Sequence, residues 1–496
     1  MQRVSQSVRL PFDAWRPDLP FTDVQAVEVA TNVTPGILAY EPFRELTPIS
    51  ANGTDTTPVG AISAHKDDGP VAIYVGDTGK LYELEADGTL DDISRTAGYS
   101  TATRDIWSFA QFGSLVIATN FSDEPQKINI ATASVTAANL GGSPPRAKYV
   151  STVRDFVVMG HLSTDPKAIR WSQINDAESW TIGTNQADTQ VFPDGGWVQG
   201  LAGGEVLYVF QERAIRRMSY VGAPLIFEFD EISRNRGCVA GQSLVQVGSK
   251  IFFLAEDGFF MLENDQLVPI GHEKVDDTFF EDFENAYRER ITAAADPVKK
   301  IVIWAYPSKA STGNPDKIIV YNWASDRWSL VDYTITGAFT FQNLGYTLEG
   351  LDALSASLDA LGVSLDDPAL QSTGLALAAF DANNRLGLFT GNSLEATIET
   401  KEFSSPAGGV RSNLKEVIPI ADSTLATVQI GTRERVGDSV VWTDASSQAA
   451  SGVIPTRANG RFFRVRLTIP APSGDETTAF TRAQGVEVHF SPQGRR

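Results

Sequence analysis

The chain has 496 residues, 42% of them hydrophobic and 21% charged. That length accommodates about three domains, and the composition is that of a folded globular protein, not a disordered or fibrous one. Sixty-one acidic residues against 41 basic ones leave a formal net charge of −20, the opposite of the basic footprint that tight wrapping of nucleic acid requires.

Residues 1–60 read as an extended N-terminal arm. Pro11, Pro17, Pro20, Pro35, Pro42, Pro48 and Pro58 punctuate it, with a strand-like stretch from Val24 to Val29. Met1 to Pro11 lacks the continuous apolar stretch of a signal peptide, and no apolar run in the chain approaches the ~20 residues of a membrane span. Synthesis in the cytoplasm, with no membrane-spanning segment, is therefore expected.

From residue 61 a repeating pattern takes over. Short runs rich in Val, Ile, Phe, Tyr and Trp alternate with Gly, Asp, Asn and Pro turns. Val71 to Val75 pairs with Lys80 to Leu84, Leu115 to Thr119 with Lys127 to Ile130, and Phe156 to Met159 with Ala168 to Trp171. Val206 to Phe210 pairs with Ala214 to Met218, Lys250 to Leu254 with Phe259 to Leu262, and Ile301 to Tyr306 with Lys317 to Tyr321. The leading strands fall near 71, 115, 156, 206, 251 and 301, in steps of 44, 41, 50, 45 and 50 residues. A recurrence of about 40–50 residues built from antiparallel strands is the signature of propeller blades, each of which buries its faces only when stacked on its neighbours. Gly337 to Phe341 with Leu375 to Phe389 forms a seventh candidate unit. Trp180 and Trp328 each follow a polar turn, where an indole wedges between adjacent blades.

Two segments interrupt the blades. Val275, Phe279, Phe280, Phe283 and Tyr287 share one helical face, which predicts a short surface helix within Val275 to Thr292; its acid-then-basic order suits the helix dipole. Leucines 351, 354, 358, 361 and 365 suggest a heptad helix, but Gly350, Gly362 and Pro368 break it. An irregular leucine-rich arm at 345–372 is expected, with self-association through it as the alternative. Residues 395–496 alternate well over six stretches, between Leu394 and Phe490, and read as a separate β-sandwich-like platform. The fold class is all-β: a propeller of six or seven blades over 61–394 with this platform appended.

The chemistry-bearing residues are sparse. A lone cysteine, Cys238, excludes an internal disulfide and reads as a small buried strand residue, since no base lies near it in sequence. His65, His161, His272 and His489 are scattered, with none at metal-ligand spacing. Gly200 to Gly204 lacks the lysine and helix of a phosphate loop and reads as a hairpin turn. The adjacent acids Glu256-Asp257 and Asp276-Asp277 read as solvated charge beside a turn and on a helix face. The Asp77 and Asp87 turns lack the tryptophan of sialidase Asp boxes, and Asp352, Asp359, Asp366 and Asp367 do not fit a calcium loop. No catalytic, cofactor-binding or metal residue is assigned, and no enzyme activity is expected.

Several stretches together carry a resemblance. They are Leu10-Pro-Phe-Asp13 with Ala30-Thr-Asn-Val33; Arg170-Trp-Ser172 with Asp176 to Trp180; Val209 to Glu212 with Ile215-Arg216 and Gly237-Cys238; Phe253 to Phe259; Val320 to Trp323 with Arg327-Trp-Ser329; and Gly460 to Arg464 with Ala483 to Val486. In these the chain resembles the tail nozzle, or tail hub, proteins of short-tailed bacteriophages, also called packaged-DNA stabilisation proteins. The resemblance implies a virion location in the tail and a homohexameric ring below the portal and adaptor rings. It further implies a channel that conducts and retains double-stranded genomic DNA without reading its sequence. Tail fibres, spikes or a needle would attach to the ring. An acidic channel wall would let the phosphate backbone slide rather than stick. The alternatives are a propeller scaffold for other protein contacts and a carbohydrate-active propeller enzyme.

Overall fold

The computed structural model describes residues 6–20, 26–66, 71–132, 135–342, 375–405, 410–473 and 477–492; the leucine-rich arm expected at 345–372 lies outside them. The most apolar strands lie second in their sheets: Val71–Gly76, Leu115–Thr119, Phe156–Leu162, Leu207–Gln211, Lys250–Ala255, Ile301–Tyr306 and Leu375–Phe380. They are buried along nearly their whole length because a neighbouring sheet covers each face, so their sequence reads as an unbroken apolar run rather than an alternation.

Each of these strands belongs to a four-stranded antiparallel unit; six are separate sheets and the remaining one, containing Ile301–Tyr306, is one end of a larger sheet, making seven such units. The inner strands are Gly60–His65, Ser108–Phe112, Ala147–Val153, Val198–Ala202, Val245–Val247, Thr292–Asp296 and Gly337–Gln342. Consecutive inner strands pack side by side, with blade four meeting blade five through the turn Gly241–Ser243. The inner strand of blade seven lies against that of blade one and closes the ring. This is a seven-bladed β-propeller.

The N-terminal segment supplies strands to both bodies. Thr47–Pro48 forms the outermost strand of blade seven by pairing with Leu386–Leu388, so the ring is clasped by chain from before residue 60. Upstream, Gln6–Pro11, Val33–Pro35 and Tyr40–Pro42 join Ala483–Pro492, Ser412–Ala421 and Ile454–Gly460 in one sheet of the C-terminal sandwich. Val27–Thr31 bridges the two bodies. Its Thr31 pairs in parallel with Leu330 in the outer strand of blade six, and its other edge pairs with Ala396–Thr400. From there the sheet runs on through Phe462–Ile469 and Thr427–Arg433, giving eleven strands continuous from propeller to sandwich. Phe462–Ile469 alternates strictly between buried and half-buried positions, as a strand with one covered face must.

A single apolar core crosses this junction, from Phe252, Phe259, Trp304 and Trp328 in blades five and six to Leu414, Val465 and Val488 in the sandwich. Charge reinforces it. Lys401 is fully buried, its Nζ donating to the Leu19 and Pro20 carbonyls with Glu28 at 3.5 Å. Glu399 is buried against Arg464 and Arg466 at 3.3 and 2.9 Å.

The predicted helix forms as α1, Asp276–Asp282, followed by a 3-10 segment, Asn285–Arg290. Val275, Phe279 and Phe283 face the core. The helix N-terminus is capped from the arm: Asp18 accepts from the Asp277 and Thr278 amides at 3.0 and 2.9 Å. Among the described residues no helix is long and apolar enough to cross a membrane.

Candidate functional site

The inner strands present small and polar residues to the propeller axis, including Gly60, Ser108, Ser151, Gly200, Thr292 and Gly337. They enclose a cavity of about 340 Å3. Gln242 crosses it, its amide donating to the Val59 carbonyl at 3.0 Å and so joining blade five to blade one. The cavity is rimmed at the end where each blade hands over to the next. There Arg104, from the linker between blades one and two, pairs with Glu289 of the 3-10 segment at 3.6 Å. Lys148 stands 3.6 Å from Asp105 on the same rim.

A second cavity of about 410 Å3 lies at the same end, with Gln199 and Arg288 on its walls where Gly200 and Glu289 line the first. Glu212, Arg213, Val239, Glu256, Phe280 and Arg288 are on its walls. Beside it, Trp197 is half exposed and contacts His161 edge-on, at 5.7 Å between ring centres. His161 bonds through Nδ1 to the Val198 carbonyl, and burial holds its imidazole below the ordinary histidine range.

The opposite end of the propeller carries apolar side chains. The hairpin tip Gly36–Ala39 is held there because the Pro35 carbonyl accepts from Asn322 at the end of the third strand of blade six. Ile37 and Leu38 on that tip are 70% and 76% exposed, and Val298, in the first turn of blade six, is 74% exposed. The Trp323 amide donates to Lys300 O and binds the two turns of that blade together.

The residues singled out in the sequence fall as follows. Trp180 is buried between blades two and three, and Trp328 is buried against Phe259 of blade five; both are wedges. Cys238 is buried but stands in the linker between blades four and five rather than in a strand; burial pushes its thiol up to about 11. Asp77 is fully buried and holds its own turn together, Oδ1 accepting from the Gly79 and Lys80 amides at 2.7 and 2.6 Å. Gly203 and Gly204 form the turn of a hairpin. His489 lies between Glu416 at 3.6 Å and Glu487 at 3.4 Å; His65 and His272 are exposed. Asp257 pairs with Arg236 at 2.7 Å.

Asp276 corrects the sequence reading. It is not solvated charge on a helix face but only 7% exposed, walled by Gly258 and Gly271 and accepting the Phe259 amide at 3.2 Å. Burial is the first cause of its pKa rising to about 7, and the nearby Asp18 and Asp257 add to the rise. Nothing at its own position signals this, because its walls come from blade five and the linker that follows. Among the described residues no three His, Cys, Asp or Glu side chains group closely enough to hold a metal ion.

No family model and no curated protein matches the chain. Among solved structures, the β-propeller domain of Cps50 (Swd1) from Myceliophteria thermophila is similar at 9% identity and a TM-score of 0.40, covering 71% of this chain and 99% of that one. A chain of the mitotic checkpoint complex gives 11% identity and a TM-score of 0.36, covering 69% and 94%. YCF48 bound to D1 peptide gives 12% and 0.34, covering 60% and 87%. The seven four-stranded blades and the closed ring of inner strands establish the propeller independently of these likenesses.

Proposed function

We propose that this protein is a non-catalytic interaction scaffold, a rigid two-body part of a larger protein assembly. The observation that carries the reading is the eleven-stranded sheet that runs without a break from blade six into the sandwich. A hinge between the bodies would need a loop to absorb the motion. Here the joint is the strand Val27–Thr31, paired to blade six at Thr31–Leu330 and to Ala396–Thr400 along its other edge, with a buried core around it, the construction expected of a part that transmits position. The acids of the blade turns support the same role: Asp77, Asp316 and Asp381 spend their carboxylates on backbone amides of their own turns.

The narrower form of this reading comes from the resemblance: a ring subunit of the tail nozzle of a short-tailed phage, contacting adaptor and portal proteins, fibres and further copies of itself. In that form DNA cannot thread the propeller, whose axis holds about 340 Å3 and is bridged by Gln242; the major groove of a duplex alone is about 12 Å wide. The DNA would run between copies. Electron imaging of the native assembly with rotational averaging tests both forms. Copies fixed in a ring around a duplex-wide channel support the nozzle, and a fixed place among other proteins supports the scaffold alone. A free monomer turning over a glycan substrate would overturn both.

A further inference from the structure

Blade four differs from the others in its outer hairpin. Its third strand, Ile215–Gly222, and its outer strand, Ile226–Ser233, are each eight residues long. The outer strands of blades one, two, three and five have three, two, four and four residues: Leu90–Asp92, Ala138–Asn139, Asp188–Val191 and Gln266–Pro269. Blade seven ends on the two residues Thr47–Pro48. A short outer strand is one way a sheet avoids pairing with other chains. Blade six has a longer one, Arg327–Asp332, and there the sheet continues into an added strand, Val27–Thr31. Ile226–Ser233 is longer still, and it ends its sheet. Among the described residues, no backbone group from Glu228 to Ser233 is hydrogen-bonded to backbone outside the pairing with Ile215–Gly222. All six of these residues are exposed or half-buried.

The two faces beside this edge differ. On the blade-three side, Phe229 packs against Phe192 at 5.4 Å between ring centres, and Glu231 pairs with Arg216 at 3.4 Å and with Arg234. On the blade-five side stand Glu228 and Asp230. Asp230 pairs with Arg217 at 2.6 Å, and the same guanidinium reaches Asp265 of blade five. Charged side chains can blunt an edge, but Asp230 and Glu231 are neutralised by these arginines. Glu228 is exposed and, among the described residues, has no ion pair.

We propose that the outer strand of blade four accepts an extended segment of a partner protein as a fifth strand, with apolar side chains on the Phe229 side and lysine or arginine on the Glu228 side. A row of unpaired N–H and C=O groups is complementary to another strand, and side chains at alternate positions then give the specificity. The alternation follows from the two-residue period of a strand: one face of the segment would lie beside Phe229 and the other beside Glu228 and Asp230. A second copy of this chain is a poor occupant. Antiparallel pairing of two such edges would set Glu228, Asp230 and Glu231 among their own kind, and like charges across a ladder are destabilising. Val221 and Leu225, 48% and 74% exposed at the tip of the same hairpin, extend the apolar contact beyond the strand. The proposal rests on the scaffold reading and names the chemistry of one of its partners.

The test is amide hydrogen exchange on the full chain with three eight-residue peptides. One alternates Lys and Val. The second has the same composition in two blocks, four Lys and then four Val. The third is the alternating peptide N-methylated throughout, which has no backbone donors for a ladder. We expect the alternating peptide alone to slow exchange at the outward amides of Glu228–Ser233. By fluorescence anisotropy it should bind Glu228→Lys roughly fivefold more weakly or worse. The melting temperature of that variant should not change, since Glu228 is exposed and unpaired. A peptide alternating Glu and Val should prefer the variant. Equal binding of the block or N-methylated peptide, protection confined to other residues, or indifference to Glu228→Lys would overturn the proposal. So would protection of the same edge in the peptide-free chain at raised concentration, which would make a second copy the occupant. If no peptide protects the edge while the chain still takes a fixed place in its native assembly, the edge inference fails alone and the scaffold reading stands.

Discussion

Asp276 shows how a single residue couples the fold to pH. In the unfolded chain its carboxyl titrates near 3.9; in the folded protein burial raises it to about 7. Between those values the unfolded chain has released the proton and the folded protein still holds it, so ionisation favours unfolding. Stability from this group is full below about pH 4, declines as pH rises toward 7, and stays lost above. Asp276→Asn keeps the oxygen that accepts the Phe259 amide and removes the ionisation. Denaturant unfolding should find the variant about 2–4 kcal/mol more stable than the parent near pH 8, with the difference shrinking as pH approaches 4. A parent whose stability does not vary between those pH values would contradict this. Gly258 belongs to the same pocket: a Cβ there would stand 2.1 Å from Asp276 Oδ2, and its φ of +143° strains any other residue, so Gly258→Ala should be destabilising. Trp328 is a different kind of residue, fully buried, stacked on Trp304 and donating its indole N–H to Ile270 O. Trp328→Ala removes the wedge between blades five and six and should cost about 3–5 kcal/mol, read as a fall in the denaturant midpoint.

Among the elements, the least conspicuous strand closes the ring. Thr47–Pro48 makes two Cα pairs with blade seven, and the neighbouring Ile49 and Ser50 amides both donate to Leu386 O. A chain beginning at residue 50 loses this clasp. It also loses Gln6–Pro11, Val33–Pro35 and Tyr40–Pro42 from one sheet of the sandwich, and Val27–Thr31 from the joint. We expect such a truncation to be aggregated or to lack the near-UV circular dichroism of packed aromatic rings, because it exposes strand edges and core in both bodies at once. A soluble, folded truncation with a native spectrum would show that the arm is an accessory. The inserted helix α1 was legible in sequence from Val275, Phe279 and Phe283 at helical spacing. Its cap was not, because Asp18 lies about 260 residues away along the chain.

At the scale of the whole molecule, the shared core and the continuous sheet predict cooperative unfolding. Lys401 stands at the joint with its charge buried, held by the Leu19 and Pro20 carbonyls and Glu28 of the N-terminal segment, and pulling that segment away would leave it without them. Differential scanning calorimetry should therefore give one endotherm for the described fold, its calorimetric and van't Hoff enthalpies in agreement. Two separated endotherms would mean that propeller and sandwich are independent and would weaken the scaffold reading. Lys401→Ala should broaden or split the transition, because it leaves the Leu19 and Pro20 carbonyls without their donor and Glu28 with Arg464 alone, at 3.7 Å.

What the amino-acid sequence determined by itself was the repeat. The second strand of each blade is covered on both faces, so Val71–Gly76, Lys250–Ala255 and Ile301–Tyr306 must be apolar throughout, and their spacing exposes the period. The C-terminal strands were equally plain, because a sandwich strand has one wet face and alternates. Apart from Gly337–Gln342 in blade seven, the inner strands were not: facing a polar axis with Gly, Ser and Thr, they resemble loops. The clasp of blade seven, the pairing of the bridging strand Val27–Thr31 and the burial of Asp276 were decided only by tertiary structure. Each depends on groups far apart in the chain, and local residue patterns record a strand's own burial but not the identity of its partner.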